Sequence, residues 1–164
     1  LEAVYLGADG VRSVTSGYIG GHEDTPTYER ICDGDTGHAE AVRIEFEPGV
    51  ITFPDLLDIF FTIHDPTTPN RQGNDVGTQY RSAIFATTPE QEALARQKVA
   101  ELNEEAHFGA PIVTEILAAP RFWPAEPYHH DYFSRNAHQP YCQYVVAPKV
   151  AKFRSKFAKR VKAT

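Results

Sequence analysis

From Glu40 the chain alternates. Glu40, Val42, Ile44 and Phe46 fall on one side of an extended segment, and Ala41, Arg43, Glu45 and Glu47 on the other. That is the period of a strand with one face toward a core and one toward water. Other stretches follow the helical period. Thr52 stands before Pro54 and Asp55, and Phe53, Leu56, Leu57, Phe60 and Ile63 form an apolar stripe. This predicts a capped helix that stops near His64-Asp65-Pro66. Thr88-Pro89-Glu90-Gln91 opens a second helix, expected to reach about Ala106 with Leu94, Val99 and Leu102 inward. A last helix, about Pro148 to Lys162, carries Val150, Phe153, Phe157 and Val161 on one side.

The remaining apolar stretches are shorter. Val11 to Tyr18, Gln79 to Ala86 and Ile112 to Ala118 read as strands, with Val14 of the first inward. A short helix is expected around Tyr132. Leu1 to Leu6 is an amphipathic turn or two without a cap before it, so the sequence is expected to begin inside an element. Three polar segments separate these elements: 20–38, 65–78 and 134–147. Long segments without structure of their own usually have a task. Strands and helices alternate irregularly, with one strand–helix–strand unit. The expectation is an α+β fold of two layers, in one domain over 1–164.

Composition narrows the picture. The 164 residues are enough to bury roughly two-thirds of the unfolded surface in one domain. No apolar run approaches the roughly 18 residues of a membrane span. The net charge of −6 does not suggest a nucleic-acid partner. Charge is uneven, however: from Pro148 onward there are seven Lys or Arg and no acid. That face is either solvated or suited to an acidic partner. Cys32 and Cys142 lie far apart and form no Cys-x-x-Cys pair, which argues against a cysteine zinc site and suits a reducing, cytoplasmic setting. His129, His130 and Asp131 adjoin, with His138 nearby. Adjacent helical residues point about 100° apart, so no metal is expected there; a metal-binding protein using His129 and His130 is the weakest of the rival readings.

Glu40 sits first on the apolar face, just after the glycine-bracketed Gly34-Asp35-Thr36-Gly37-His38. A poorly hydrated carboxyl favours its neutral form and can give a proton to a substrate oxygen near neutral pH. The other reading is a strand-end carboxylate that bends out to water. Tyr28 precedes this strand; Asp75 and Tyr80 flank the start of the next long one. Two phenols and a neutral acid could form a pocket for a small oxygen-bearing group. Equally, the tyrosines could be packing residues with satisfied hydroxyls. Cys32 reads as a small buried residue. Cys142, after Tyr141 in a tail loop, reads as an accessible redox thiol.

Several motifs resemble one family, the A-type peptide methionine sulfoxide reductases. They are Gly17-Tyr18-Ile19-Gly20-Gly21, Pro26-Thr27-Tyr28, Gly34-Asp35-Thr36-Gly37-His38-Ala39-Glu40-Ala41-Val42, His64-Asp65-Pro66, Arg71 through Ser82, and Phe122-Trp123-Pro124-Ala125-Glu126 with Tyr128-His129. The resemblance implies a ferredoxin-like two-layer α/β sandwich with long functional loops. It implies thiol-dependent reduction of methionine S-sulfoxide, free or in proteins, the reversible rung of methionine oxidation. Glu40 aligns with the family's acid, Tyr28 and Tyr80 with its oxygen-binding tyrosines, Asp75 with a pocket aspartate, and Cys142 with the thiol that closes the recycling disulfide. No bound cofactor is implied; thioredoxin or another dithiol supplies electrons to what is expected to be a monomer.

One part of the family pattern is not in these residues. The nucleophile's Gly-Cys-Phe-Trp-Gly aligns immediately before Leu1. The expectation is therefore a chain clipped ahead of an N-terminal strand, with the 164 residues alone inactive. The alternative is a catalytically inactive module that binds sulfoxide or a partner. Cys32 aligns with a non-catalytic position.

Overall fold

The computed structural model describes residues 1–126, 135–136, 138–140 and 142–162. Its elements are α1 (Glu2–Leu6), β1 (Val11–Ile19), α2 (Tyr28–Cys32), β2 (Ala39–Phe46), α3 (Phe53–Ile63), β3 (Arg71–Gln72), β4 (Asp75–Val76), β5 (Ala83–Ala86), α4 (Pro89–Glu104), β6 (Glu115–Ala118), β7 (Phe122–Pro124) and α5 (Ala147–Lys156). Helices and small sheets mix as an α+β chain should. One sheet has the order β2-β1-β7; β3 and β4 form a two-stranded antiparallel ladder, and β5 and β6 a parallel one.

The chain divides into two compact units: Leu1–Gly17, Val42–His64 and Pro124–Thr164, and Tyr18–Ala41 with Asp65–Trp123. The first is built on an apolar cluster. Val4, Tyr5, Ala8, Val11, Ile51, Leu56, Ile59, Ile63, Val150 and Phe153 are buried together, with Val14, Phe157 and Val161 packed against them. Helix α3 starts where Thr52 and Asp55 exchange bonds: the Thr52 hydroxyl accepts from the Asp55 N–H, and the Asp55 carboxylate accepts from the Thr52 N–H. Its buried face is wider than the expected stripe, because Ile59 and Phe61 are buried while Phe60 is half-buried. The last helix stops six residues short of the expected end. Phe157 leaves helical geometry at φ −124 and ψ 43, and a 3-10 turn follows over Ala158–Arg160.

The second unit contains the β5–α4–β6 crossover. A parallel pair cannot be closed by a tight turn, so a helix must return the chain. The Thr88 hydroxyl caps α4 by accepting from the Gln91 N–H at 3.1 Å. Ala95 and Leu102 define its buried side, whereas Leu94, expected inward, is 37% exposed. An alanine suffices here because the helix lies close to the parallel pair; the Arg96 guanidinium reaches the Ile116 carbonyl at 3.1 Å. The strand expected from Gln79 starts only at Ala83, because Thr78–Tyr80 forms a 3-10 turn. Phe122–Pro124, a stretch with no clear alternation, is a strand. The helix expected at Tyr132 lies outside the described residues.

Candidate active site

The polar segment 20–38 is not all loop. The Thr27 hydroxyl accepts from the Arg30 N–H at 3.3 Å and starts α2. Arg30 then holds the segment's acids, reaching Glu23 at 2.8 Å, Asp33 at 2.7 Å and Asp35 at 3.1 Å. Positions i and i+4 of a helix share a face. Tyr28 and Cys32 are such a pair, and their side chains are hydrogen-bonded. Cys32 is exposed, contrary to the expectation of a buried residue. The five-residue α2 buries only Ile31, which leaves the next position facing out.

Glu40 is the second residue of β2. Its carboxyl is pushed up to about 7, first by burial and then by the nearby charge of Asp75. By surface area, however, the Glu40 residue is exposed rather than held inside the apolar face. The two facts pull against each other. An exposed residue retains hydration, so crowding acts on one side of the carboxyl only and the neutral form is favoured less than a sealed site would favour it. The direction survives, because a like charge raises the pKa independently of burial. The two faces of β2 also differ from the simple alternation: Ala39 is buried, Val42, Ile44 and Phe46 are half-buried, and Arg43 and Glu45 are exposed.

Segment 65–78 is likewise structured. Gln72 holds the Asp65 backbone at both ends: its amide oxygen accepts from the Asp65 N–H at 2.9 Å, and its amide nitrogen donates to the Asp65 carbonyl at 3.0 Å. Gln72 faces Asp75 across the β3–β4 hairpin. Gly77 follows at φ 146, where a Cβ would collide with the Gln79 side chain. Only glycine avoids both the strain and the collision. The Tyr80 N–H then donates to the Gly77 carbonyl at 3.0 Å. A hairpin and one turn thereby carry Asp75 and Tyr80 within six positions of the chain.

These four side chains come together. The Tyr28 hydroxyl is pushed up to about 12, first by its bond with Cys32 and the charge of that thiol, then by burial, Tyr80 and Glu40. The Tyr28 phenol is therefore near both the Glu40 carboxyl and Tyr80, and Asp75 approaches that carboxyl from the hairpin. Tyr28 is 38% exposed and Tyr80 half-buried, so neither is a sealed core residue. An open depression of about 440 Å³, lined by His22, Asp35, Asn70, Thr78, Arg81 and Glu115 among others, includes none of the four. Cys142 belongs to the other unit. It opens a π-helical turn, Cys142–Val146, rather than standing in a loop. His129 and His130 lie outside the described residues; among the described ones no group of three His, Cys, Asp or Glu could hold a metal ion.

Sequence reasoning missed three supports of this site. His38 is 2% exposed, Gln79 is 6% exposed, and Arg81 donates to the Gly37 and Thr78 carbonyls at 3.0 and 2.8 Å. None stands in an apolar repeat. The available signal was their place inside glycine-rich runs, where side-chain bonds replace regular backbone ladders.

An acid held toward neutrality near a phenol can bind an oxygen and give it a proton. The sequence pattern described as peptide methionine sulfoxide reductase matches residues 1–161. The peptide methionine sulfoxide reductase MsrA of Polynucleobacter asymbioticus is 56% identical over 157 residues, 96% of this chain and 83% of that one. The protein of the same description from Ralstonia nicotianae is 54% identical over 166 residues, 99% of this chain and 87% of that one. The crystal structure of reduced Mxr1 from Saccharomyces cerevisiae has a TM-score of 0.72 at 39% identity, covering 82% of this chain and 76% of its own. The chain belongs to the peptide methionine sulfoxide reductase family. Its activity is that of a peptide-methionine (S)-S-oxide reductase, and the alternative of an inactive binding module finds no support in these relatives.

Proposed function

We propose that Glu40 is the proton donor of this reduction and that Tyr28 and Tyr80 hold the sulfoxide oxygen, with Asp75 keeping the Glu40 carboxyl partly neutral. A cysteine thiolate attacks the sulfoxide sulfur. Glu40 protonates the departing oxygen. That oxygen ends on the attacking cysteine as a sulfenic acid: the methionine sulfur is reduced by two electrons and the cysteine sulfur oxidised by two. Cys142 then displaces water from the sulfenic acid and forms a disulfide, and thioredoxin or another dithiol reduces it. The observation that carries the reading is the raised Glu40 carboxyl within electrostatic reach of Asp75 and of Tyr28, which in turn is within reach of Tyr80.

The test is single-turnover reduction of methionine S-sulfoxide by full-length Glu40→Gln, which is expected to be slower by about 10² to 10⁴-fold. Unchanged turnover removes Glu40 as the acid. Full-length Cys142→Ser is expected to keep the first turnover and slow thioredoxin-driven cycling; cycling at full rate removes Cys142 from the pathway.

The wider reading is a monomeric, single-domain enzyme of the ferredoxin-like two-layer sandwich class. The β5–α4–β6 crossover supports that architecture. A cytoplasmic setting is supported by the free, exposed thiol of Cys32. No helix among the described residues is long and apolar enough to cross a membrane.

A further inference from the structure

His38 is a buried imidazole with both ring nitrogens engaged. Nδ1 lies 3.0 Å from the Gly21 N–H, which donates to it. Nδ1 must then be unprotonated, so Nε2 carries the proton and donates to the Glu23 carbonyl at 2.6 Å. One neutral tautomer satisfies both bonds; a cationic ring would turn a donor against the Gly21 N–H. The same junction is held from other sides. The His22 N–H donates to the Thr36 carbonyl at 3.0 Å, and the His38 N–H to the Thr36 hydroxyl at 3.2 Å. At Gly21 a Cβ would run into the His38 nitrogen and the Thr36 carbonyl. The 20–23 segment and the approach to β2 therefore touch backbone to backbone.

What this junction positions follows from the chain. Only Ala39, 1% exposed, separates His38 from Glu40. On the other side Arg81 joins the Gly37 carbonyl to the Thr78 carbonyl of the turn that carries Tyr80. A shift at His38 would reach the acid through one immobilised residue. We propose that His38 is a positioning residue for the reductase: as a neutral imidazole it pins residues 21–23 to the entrance of β2 and so fixes where the Glu40 carboxyl meets the sulfoxide oxygen. This rests on the reading of Glu40 as proton donor.

The experiment compares full-length His38→Ala, His38→Asn and Glu40→Gln, with kcat and KM measured against pH. His38→Ala is expected to lower kcat by about 10²-fold, the scale of a misplacement near 1 Å, with a smaller change in KM. Activity should fall off at lower pH than in the natural protein, because a loosened carboxyl is better hydrated. Asp75 and Tyr28 act on that carboxyl and Tyr80 on Tyr28, and Glu23, Arg30 and Arg81 are charged groups beside the ring's junction; none of them is altered. Asn places an oxygen where Nδ1 stands, so His38→Asn should recover part of kcat. A folded His38→Ala with natural kcat and an unmoved pH profile overturns the proposal, even if its stability is lower. Unchanged turnover in Glu40→Gln overturns the acid assignment itself and is distinguishable, since it leaves no acid to position. Should His38→Ala not fold, imidazole nitrogen NMR of the natural protein between about pH 6 and pH 8 decides. An unprotonated Nδ1 with a protonated Nε2 supports the proposal, and the opposite tautomer overturns it.

Discussion

The two compact units are stabilised by different chemistry. In the first, α1, α3 and α5 meet in one apolar cluster with Phe153 and Ile59 at its centre. In the second, the buried polar side chains Thr36, His38, Gln79 and Ser82 all occur, as do the two buried polar atoms left without a bond among the described residues, Glu23 Oε2 and Gln79 Oε1. Apolar burial is non-directional: it favours compactness without selecting a position to a fraction of an ångström. Hydrogen bonds are directional, and a buried polar group left unbonded costs roughly 1–3 kcal/mol. The unit that holds Glu40, Tyr28, Asp75 and Tyr80 carries that cost and gains defined geometry.

Changes in the two units should therefore have different signatures. The largest stability effect is expected from Phe153→Ala, a loss of about 3–5 kcal/mol in denaturant unfolding. The chemistry of each molecule that remains folded should be little altered; a large fall in single-turnover rate would break the contrast. Gly21→Ala should cost about 1–3 kcal/mol by overpacking, and here the rate should fall as well, because the contact with His38 is disturbed. Thr52→Ala removes the α3 cap and should cost about 1 kcal/mol with no kinetic effect.

The smallest effect is a pH dependence. The Glu40 carboxyl is raised in the folded protein, so the folded state binds the proton more tightly than the unfolded chain does. Its stabilising contribution is complete below the ordinary carboxylate range and is lost as pH rises through about 7. Glu40→Gln cannot lose it, and should melt higher relative to the natural protein at pH 8 than at pH 5. Equal differences at both pH values would place the carboxyl in ordinary water.

Periodicity and punctuation located β1, β2, α3 and α4 because those signals are local: alternation, a capping threonine, a proline in the first turn. They failed where neighbours decide. Gln79 and Tyr80 read as the start of a strand, yet Gly77 and the buried Gln79 side chain turn them into a 3-10 turn. Leu94 read as core and is exposed, because Ala95 allows the close approach of α4 to β5 and β6. Phe122–Pro124 has no alternation and is a strand only because β1 lies beside it.

The site divides in the same way. Residue order alone determined the candidates, since Glu40, Tyr28, Tyr80 and Asp75 stand in runs specific enough to mark a family. It also determined that the acid would open a strand. Only the tertiary structure decided why that acid is raised. The expected cause was burial on an apolar face. Burial is the larger cause, on a residue exposed by surface area, and the other is a second carboxylate, brought in by a hairpin 35 positions further on. Electrostatic interaction depends on distance in space, and no local pattern encodes that distance.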